Sequence, residues 1–195
     1  MKRIIDIFAS AFMLILLFPF GLVIALLIAC DSRGGVFYRQ SRVGRNNRDF
    51  TLYKFRTMRT DADRLGLLTV GARDSRVTRV GYYLRKYKID ELPQLLNILS
   101  GDMSFVGPRP EVRKYVDLYN NEQKKVLSVR PGLTDYASIA YINENEILEK
   151  ANDKEQTYIN EIMPEKIKLN MKFIQNPSLC QYFKIIFLTI KSIFT

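Results

Sequence analysis

The sequence predicts a mainly α-helical protein of the α+β class, with one small β-hairpin and an amino-terminal segment buried in a membrane. Three observations predict it: an uncharged apolar run from Ile7 to Cys30, two short β-type runs around a polar turn, and helical spacing of apolar residues through most of the remainder.

The apolar run is 24 residues long, and as a straight helix it would reach about 36 Å, enough to span a bilayer. Three readings fit it. It is a transmembrane anchor, or a lipoprotein signal in which Leu27-Ile28-Ala29-Cys30 resembles a lipobox, or a re-entrant hairpin. Pro19 divides the run almost in half and favours a sharp bend there. Lys2 and Arg3 before the run and Arg33, Arg39 and Arg42 after it place cytoplasmic-type charge at both ends, which favours a return over a crossing. Asp6, beside the apolar stretch, is expected to pair with Arg3 or Lys2 or to sit at the interface.

A turn at residues 32–35 leads into two strands, Val36-Phe37-Tyr38 and Phe50-Thr51-Leu52-Tyr53, around a polar turn from Gly44 to Asp49. From Val77 to Tyr87, Val77, Val80, Tyr83 and Leu84 recur at helical spacing among basic residues. A second helix is expected to start with Asp90 as N-cap and Pro93 in its first turn, to carry Leu92, Leu95, Leu96 and Leu99 on one stripe, and to stop at Gly101. Residues 104–110, Ser-Phe-Val-Gly-Pro-Arg-Pro, read as a rigid turn that projects Arg109. Residues 111–126 are expected to be helical, Arg130-Pro131-Gly132 to turn, and 144–172 to be mostly helical. In the last stretch, 179–194, Tyr182, Phe183, Ile186, Phe187, Ile190 and Phe194 share a face that suits a core or a membrane surface equally.

Charge is concentrated. Of 30 basic residues, 15 fall between Arg33 and Lys88 against 4 acidic ones, within a chain of net charge +10. Such a block faces nucleic acid, an acidic bilayer or a phosphorylated small substrate. The absence of histidine excludes Ser-His-Asp and Cys-His nucleophile pairs and imidazole metal sites, so proton chemistry falls to carboxylates or lysine. Two cysteines, Cys30 and Cys180, are too few for a disulfide scaffold. No P-loop and no G-x-G-x-x-G turn occurs. The adjacent carboxylates Asp90-Glu91, beside Arg85, Lys86 and Lys88, are the best chemical candidates, with a plain helix cap as the alternative.

The chain resembles the bacterial sugar transferases, the monotopic polyprenyl-phosphate phosphoglycosyl transferases. The resemblance is carried by Leu84-Arg85, Asp90-Glu91-Leu92-Pro93-Gln94-Leu95, Asn97, Gly101-Asp102-Met103-Ser104 and Val106-Gly107-Pro108-Arg109-Pro110. Lys2-Arg3 with Asp6, Pro19, Gln40 with Arg42 and Gly44, Tyr53-Lys54-Phe55-Arg56-Thr57-Met58, and Arg130-Pro131-Gly132-Leu133-Thr134 extend it over about two thirds of the chain.

The resemblance implies a monotopic protein with an amino-terminal re-entrant helix-break-helix over 1–31, interfacial amphipathic helices, and a cytoplasmic catalytic domain over 32–195, the family's minimal form. It implies Mg²⁺-dependent transfer of a sugar phosphate from a UDP-sugar to undecaprenyl phosphate, with UMP released, as the first membrane step of a surface glycan. The site would face the cytoplasm at the inner membrane. Asp90 would be the nucleophile and Glu91 the metal ligand. Arg85, Arg109 and Pro110 are expected at the phosphates, and so are Lys54, Arg56 and Thr57, for which a headgroup or fold-anchoring role weighs equally. Membrane phospholipids are expected partners, nucleic acid is not, and a homodimer is allowed. The alternative is a membrane-anchored non-catalytic protein that binds polyanions. Two departures from the family pattern are visible: Phe18-Pro19 where the bend is usually Ser-Pro, and Asp135-Tyr136-Ala137-Ser138-Ile139 where many members have Gly-Trp-Ala-Gln-Val. The second leaves the donor sugar open.

Overall fold

The computed structural model describes residues 1–60, 62 and 74–194, apart from the side chains of 145, 193 and 194. A 30-residue helix, α1 (Lys2–Asp31), is followed by an antiparallel hairpin of β1 (Phe37–Val43) and β2 (Asp49–Phe55), with Phe37 opposite Phe55 and Val43 opposite Asp49. The strands are longer than their apolar runs predict and the connection is tighter. Asn46 and Asn47, both at positive φ, turn the chain there, and asparagine tolerates that region.

Helix α1 runs through Pro19 without ending there. A proline inside a helix deletes one hydrogen bond and kinks the axis rather than terminating it, so the expected helix-break-helix is continuous in its helical assignment. Its central apolar residues face outward, with Phe12, Ile15, Phe18 and Phe20 each more than 60% exposed. Both ends are tied to the rest of the chain. Near the start, Arg3 donates to the carbonyls of Ile98 and Leu99 at 2.5 and 2.8 Å. Asp6, only 2% exposed, accepts from the Tyr182 hydroxyl at 2.6 Å, Ser104 Oγ at 3.1 Å and the Phe105 amide at 3.2 Å. Asp6 therefore makes no close ion pair with Arg3 or Lys2, and Lys2 feels it only at longer range. It is buried because three neutral donors converge on it, while Arg3 neutralises a helix end instead.

The far end of α1 is held by Arg56, which donates to the carbonyls of Ile28, Ser32 and Arg33 at 3.3, 2.7 and 2.5 Å. Asp31 accepts the Val80 amide at 2.9 Å in the first turn of α2 (Arg79–Lys86), where Thr78 is the side-chain cap. Gly81 lets α2 lie against the Thr57 backbone, since a Cβ there would meet Thr57 O at 2.1 Å.

After α2 the expected single helix is divided. Asp90 is not an N-cap: residues Ile89–Glu91 form a 3₁₀ turn, and α3 (Gln94–Ser100) starts after Pro93. Gly101, at φ 100°, ends α3 as expected. Asn97, 1% exposed, clips α3 to β2 by accepting from the Tyr53 amide and donating to Thr51 O at 3.1 and 2.7 Å. Residues 104–106 are not part of a turn but form β3 (Ser104–Val106), parallel to β4 (Gly132–Thr134). Sequence periodicity misses this pair because each strand is three residues long. The two backbones touch where a Cβ on Gly132 would lie 2.1 Å from Gly107 N.

The expected helix over 111–126 resolves into α4 (Arg113–Val116) and a 3₁₀ segment, Gln123–Ser128, separated where Asn120 and Gln123 bond each other's amides at 2.9 Å. The carboxy-terminal half holds α5 (Tyr136–Ala140), α6 (Glu144–Lys150), α7 (Lys154–Thr157), a π-helical turn (Tyr158–Ile162), α8 (Met163–Gln175) and α9 (Leu179–Phe194). Helix α9 is buried on one side only: Tyr182 and Ile185 are fully buried, whereas Phe183, Phe187 and Ile190 are more than half exposed. Ile185 belongs to the buried face and Phe183 does not, because the core contact falls one residue off the aromatic stripe. The side chain of Phe194 lies outside the described residues.

Replacing Asp6 with alanine would leave the Tyr182, Ser104 and Phe105 donors unpaired in a buried site, at about 1–3 kcal/mol for each group left unsatisfied. Asp6→Ala is therefore expected to lower the melting temperature of the detergent-solubilised protein by several degrees, with Asp6→Asn milder. Equal melting of Asp6→Ala and wild type would refute this role.

Candidate active site

A cleft of about 880 Å³ is lined at one part by Lys54, Arg85, Lys88, Asp90, Glu91 and Arg109. The left-handed conformation of Lys88 turns the chain out of α2 and into the 3₁₀ turn that carries the two carboxylates. Asp90 and Glu91 are 7% and 8% exposed. Two buried like charges side by side repel each other, and each must be offset by a cation.

Arg109 offsets Glu91 with a two-pronged contact, 2.5 Å to Oε1 and 3.3 Å to Oε2. Lys54 stands between the acids, 3.1 Å from Glu91 Oε1 and 3.8 Å from Asp90 Oδ2. Burial alone would raise Glu91, but Arg109 and Lys54 outweigh it and hold that carboxyl far below the usual range. Burial pushes Asp90 the other way, above the ordinary aspartate value, with Lys54 opposing. Arg109 is in turn held more firmly protonated by Glu91. The Arg85 guanidinium, which lines the same cleft, makes no hydrogen bond or close ion pair among the described residues; burial lowers its pKa, and Asp90 and Asp74 act on it from a distance.

The backbone of Arg109 is fixed from two sides. Asp135, the N-cap of α5 and 2% exposed, accepts the Arg109 amide at 2.7 Å, the Ser138 amide at 2.5 Å and Asn170 Nδ2 at 2.9 Å. From the other side Arg42 donates to the Pro110 carbonyl at 3.1 Å and to Glu111 Oε1 at 3.2 Å, and Gln40 Oε1 accepts from Arg42 at 2.7 and 3.0 Å. Tyr158, whose phenol burial keeps protonated, donates to Glu111.

Of the residues expected at the phosphates, Lys54, Arg85, Arg109 and Pro110 come together with Asp90 and Glu91. Pro110 offers no N–H, and its carbonyl is taken by Arg42, so it shapes the Arg109 turn. Arg56 and Thr57 are not among the cleft-lining residues. Arg56 is 6% exposed and spends its guanidinium on the end of α1, and the Thr57 backbone packs against Gly81 and accepts the Thr78 amide. Lys88, Glu111, Asp135 and Tyr158 have no expected site role from sequence. Only Asp135 left a local signal, a cap-type residue before a short helix; Glu111 and Tyr158 are 47 residues apart and meet only in the fold.

Among the described residues no group of three or more His, Cys, Asp or Glu comes together. A divalent ion here would take at most the two carboxylates and complete its shell with water and substrate oxygens, the habit of Mg²⁺. Glu91 Oε2 accepts one bond, at 3.3 Å, and an ionised carboxylate oxygen has a second lone pair. Two carboxylates with a free lone pair on Glu91 Oε2 are a donor set that would fit magnesium.

A family model described as bacterial sugar transferase matches residues 1–195. A UDP-N-acetylgalactosamine-undecaprenyl-phosphate N-acetylgalactosaminephosphotransferase of Aeromonas hydrophila is 40% identical over all of this chain, which spans 44% of that relative. An undecaprenyl-phosphate glucose phosphotransferase of Komagataeibacter xylinus is 38% identical over 97% of the chain and 35% of its own length. A UDP-glucose:undecaprenyl-phosphate glucose-1-phosphate transferase of Caulobacter vibrioides is 37% identical over all of the chain and 70% of its own length. With the Asp90-Glu91 turn and the Arg109 loop brought to one cleft, and with a match that runs from the first residue to the last, the chain belongs to the bacterial sugar transferase family.

Proposed function

We propose that this protein transfers a sugar 1-phosphate from a UDP-sugar to undecaprenyl phosphate and so starts a surface glycan, of the O-antigen, capsule, exopolysaccharide or glycoprotein kind. The observation that carries this reading is a buried carboxylate, Asp90, in a cleft where Lys54 and Arg109 contact the acids and Arg85 makes no close ion pair. The names of the relatives supply the substrate classes.

In the proposed chemistry an Asp90 carboxylate oxygen attacks the β-phosphorus of the donor. The bond from that phosphorus to the bridging oxygen breaks, and UMP leaves with the electron pair. An oxygen of the lipid phosphate then attacks the same phosphorus, the bond to Asp90 breaks, and the carboxylate returns. No proton is transferred in either step, which suits a chain without histidine. Lys54 favours the ionised form of Asp90 against its burial. Arg85 offers its guanidinium fork to the phosphate oxygens, while Arg109, whose fork holds Glu91, has only its remaining N–H groups to offer them. Glu91 would hold Mg²⁺, whose charge would offset that of the diphosphate and of departing UMP.

The same reading places the protein on the cytoplasmic face of the inner membrane, with α1 entering and leaving on one side. Support comes from the ties at both ends of α1 to a single body, through Arg3 and Asp6 at one end and Asp31 and Arg56 at the other, with an exposed apolar middle. A helix that crossed would carry one of those ends away from its partners. Cleavage at Cys30 would remove Asp6, Ser10 and Ile28 from the core, which argues against a lipoprotein signal. Exposed Phe183, Phe187 and Ile190 of α9 supply a further apolar surface for phospholipid.

Incubation with undecaprenyl phosphate, Mg²⁺ and a panel of UDP-sugars is expected to release UMP. Asp90→Asn should reduce the rate at least about a thousand-fold, and sugar phosphate should be retained on the wild-type protein but not on this variant when acceptor is omitted. Undiminished turnover by Asp90→Asn would remove it as nucleophile. For topology, in a variant lacking Cys30 and Cys180, a cysteine in place of Lys2 and one in place of Gly35 should both resist an impermeant thiol reagent applied to intact cells and react after the cells are opened. Labelling of position 2 from outside would exclude the hairpin.

A further inference from the structure

We propose that Lys88 is a phosphate ligand of the cleft, delivered there by a strained backbone; the inference rests on the phosphoryl-transfer reading above. Among the described residues only Asn46, Asn47 and Lys88 are non-glycine residues at positive φ. The two asparagines sit in the hairpin turn and belong to the type that tolerates this region. Lys88, at φ 57° and ψ 19°, follows the C-cap of α2, where a left-handed residue is usually glycine. Lysine is disfavoured in that conformation relative to glycine.

Nothing in the turn itself needs the side chain. Its hydrogen bonds are main-chain only: the Lys88 amide donates to Arg85 O at 3.2 Å, and Lys88 O accepts the Glu91 amide at 3.3 Å. Glycine would make both. The ammonium forms no hydrogen bond or close ion pair among the described residues and lines the cleft with Asp90 and Arg85, where burial lowers its pKa and Glu91 and Asp90 hold it charged from a distance. Strain at a functional position is kept only where something offsets it.

Charge shows what that is. Lys54 and Arg109 balance Asp90 and Glu91, so Arg85 and Lys88 leave the cleft with two surplus positive charges. A phosphate monoester carries about −1.5 to −2 near neutral pH, and a diphosphate donor brings comparable charge. Lys88 lies two residues before the proposed nucleophile, so its ammonium meets a non-bridging oxygen of either the donor diphosphate or the acceptor phosphate. The chemistry is the same, and kinetics separates the two sources.

The test compares wild type with Lys88→Gly, Lys88→Asn and Lys88→Arg. Glycine relieves the strain and removes the charge: Lys88→Gly is expected to melt about 2–4 °C higher and to raise KM about 10- to 100-fold. Lys88→Asn should follow it in KM and takes its place if the glycine variant does not fold. Lys88→Arg should stay within a few-fold of wild type. A raised KM for the UDP-sugar alone assigns the ammonium to the diphosphate, and one for undecaprenyl phosphate alone assigns it to the lipid; either supports the proposal. Unchanged KM for both substrates, or equal loss in the arginine and glycine variants, overturns it, as does a lower melting point with unchanged KM, the signature of a helix-end role. Affinity for inorganic pyrophosphate, read by calorimetry and expected to fall at least about tenfold in Lys88→Gly, decides the matter if no donor in the panel turns over. That outcome would sink the transferase reading separately from the lysine.

Discussion

Two adjacent carboxylates held out of water impose the constraint on which the cleft depends. Asp90 and Glu91 are each less than a tenth exposed, and a buried charge left unpaired costs about 3–5 kcal/mol when its partner is removed. Arg109 and Lys54 meet that demand, both contacting Glu91 Oε1, one from the loop after β3 and one from β2. The hairpin and the parallel pair must therefore stand in fixed relation to the 3₁₀ turn. Much of the polar structure nearby follows: Asn97 locks β2 to α3, Asp135 and Arg42 fix the turn that carries Arg109, and Gly107 and Gly132 allow the parallel backbones to approach.

The same economy governs how the apolar helix is attached. Its polar anchors are aimed at helix ends and orphan donors rather than at each other. Arg3 meets the carbonyl end of α3, Arg56 the carbonyl end of α1, and Asp31 an amide at the start of α2. These are the groups that a helix leaves unsatisfied. A charge placed there compensates a backbone defect and docks two elements at once. Arg56, two residues after Lys54, holds the end of α1 and does not line the cleft.

Legibility from sequence followed the range of the interaction. Helix α9, the stop at Gly101 and the position of the hairpin depend on neighbours a few residues away, and each is readable. Where a competing local bond exists, the reading broke down: Asn120 and Gln123 satisfy each other and cut the expected helix over 111–126 in two. Asp90 likewise reads as a cap, but Pro93 and the left-handed Lys88 make its turn a separate 3₁₀ piece. In α9 the spacing showed an apolar helix, yet which side is buried was set by Tyr182 reaching Asp6 across 176 residues.

Sequence by itself limited the class of chemistry, because residue type does so: without histidine, proton chemistry falls to carboxylates or lysine, and the basic block suits a polyanion of some kind. It also determined that one segment is too apolar for water. Only the tertiary structure decided which cations are free. Lys54, Arg56, Arg85, Lys88 and Arg109 look alike in the sequence, but two contact the acids, one holds a helix end, and two line the cleft with no close ion pair among the described residues. The physical reason is that a charge's role depends on its nearest partners in space, and those partners lie between 18 and 37 residues away along the chain.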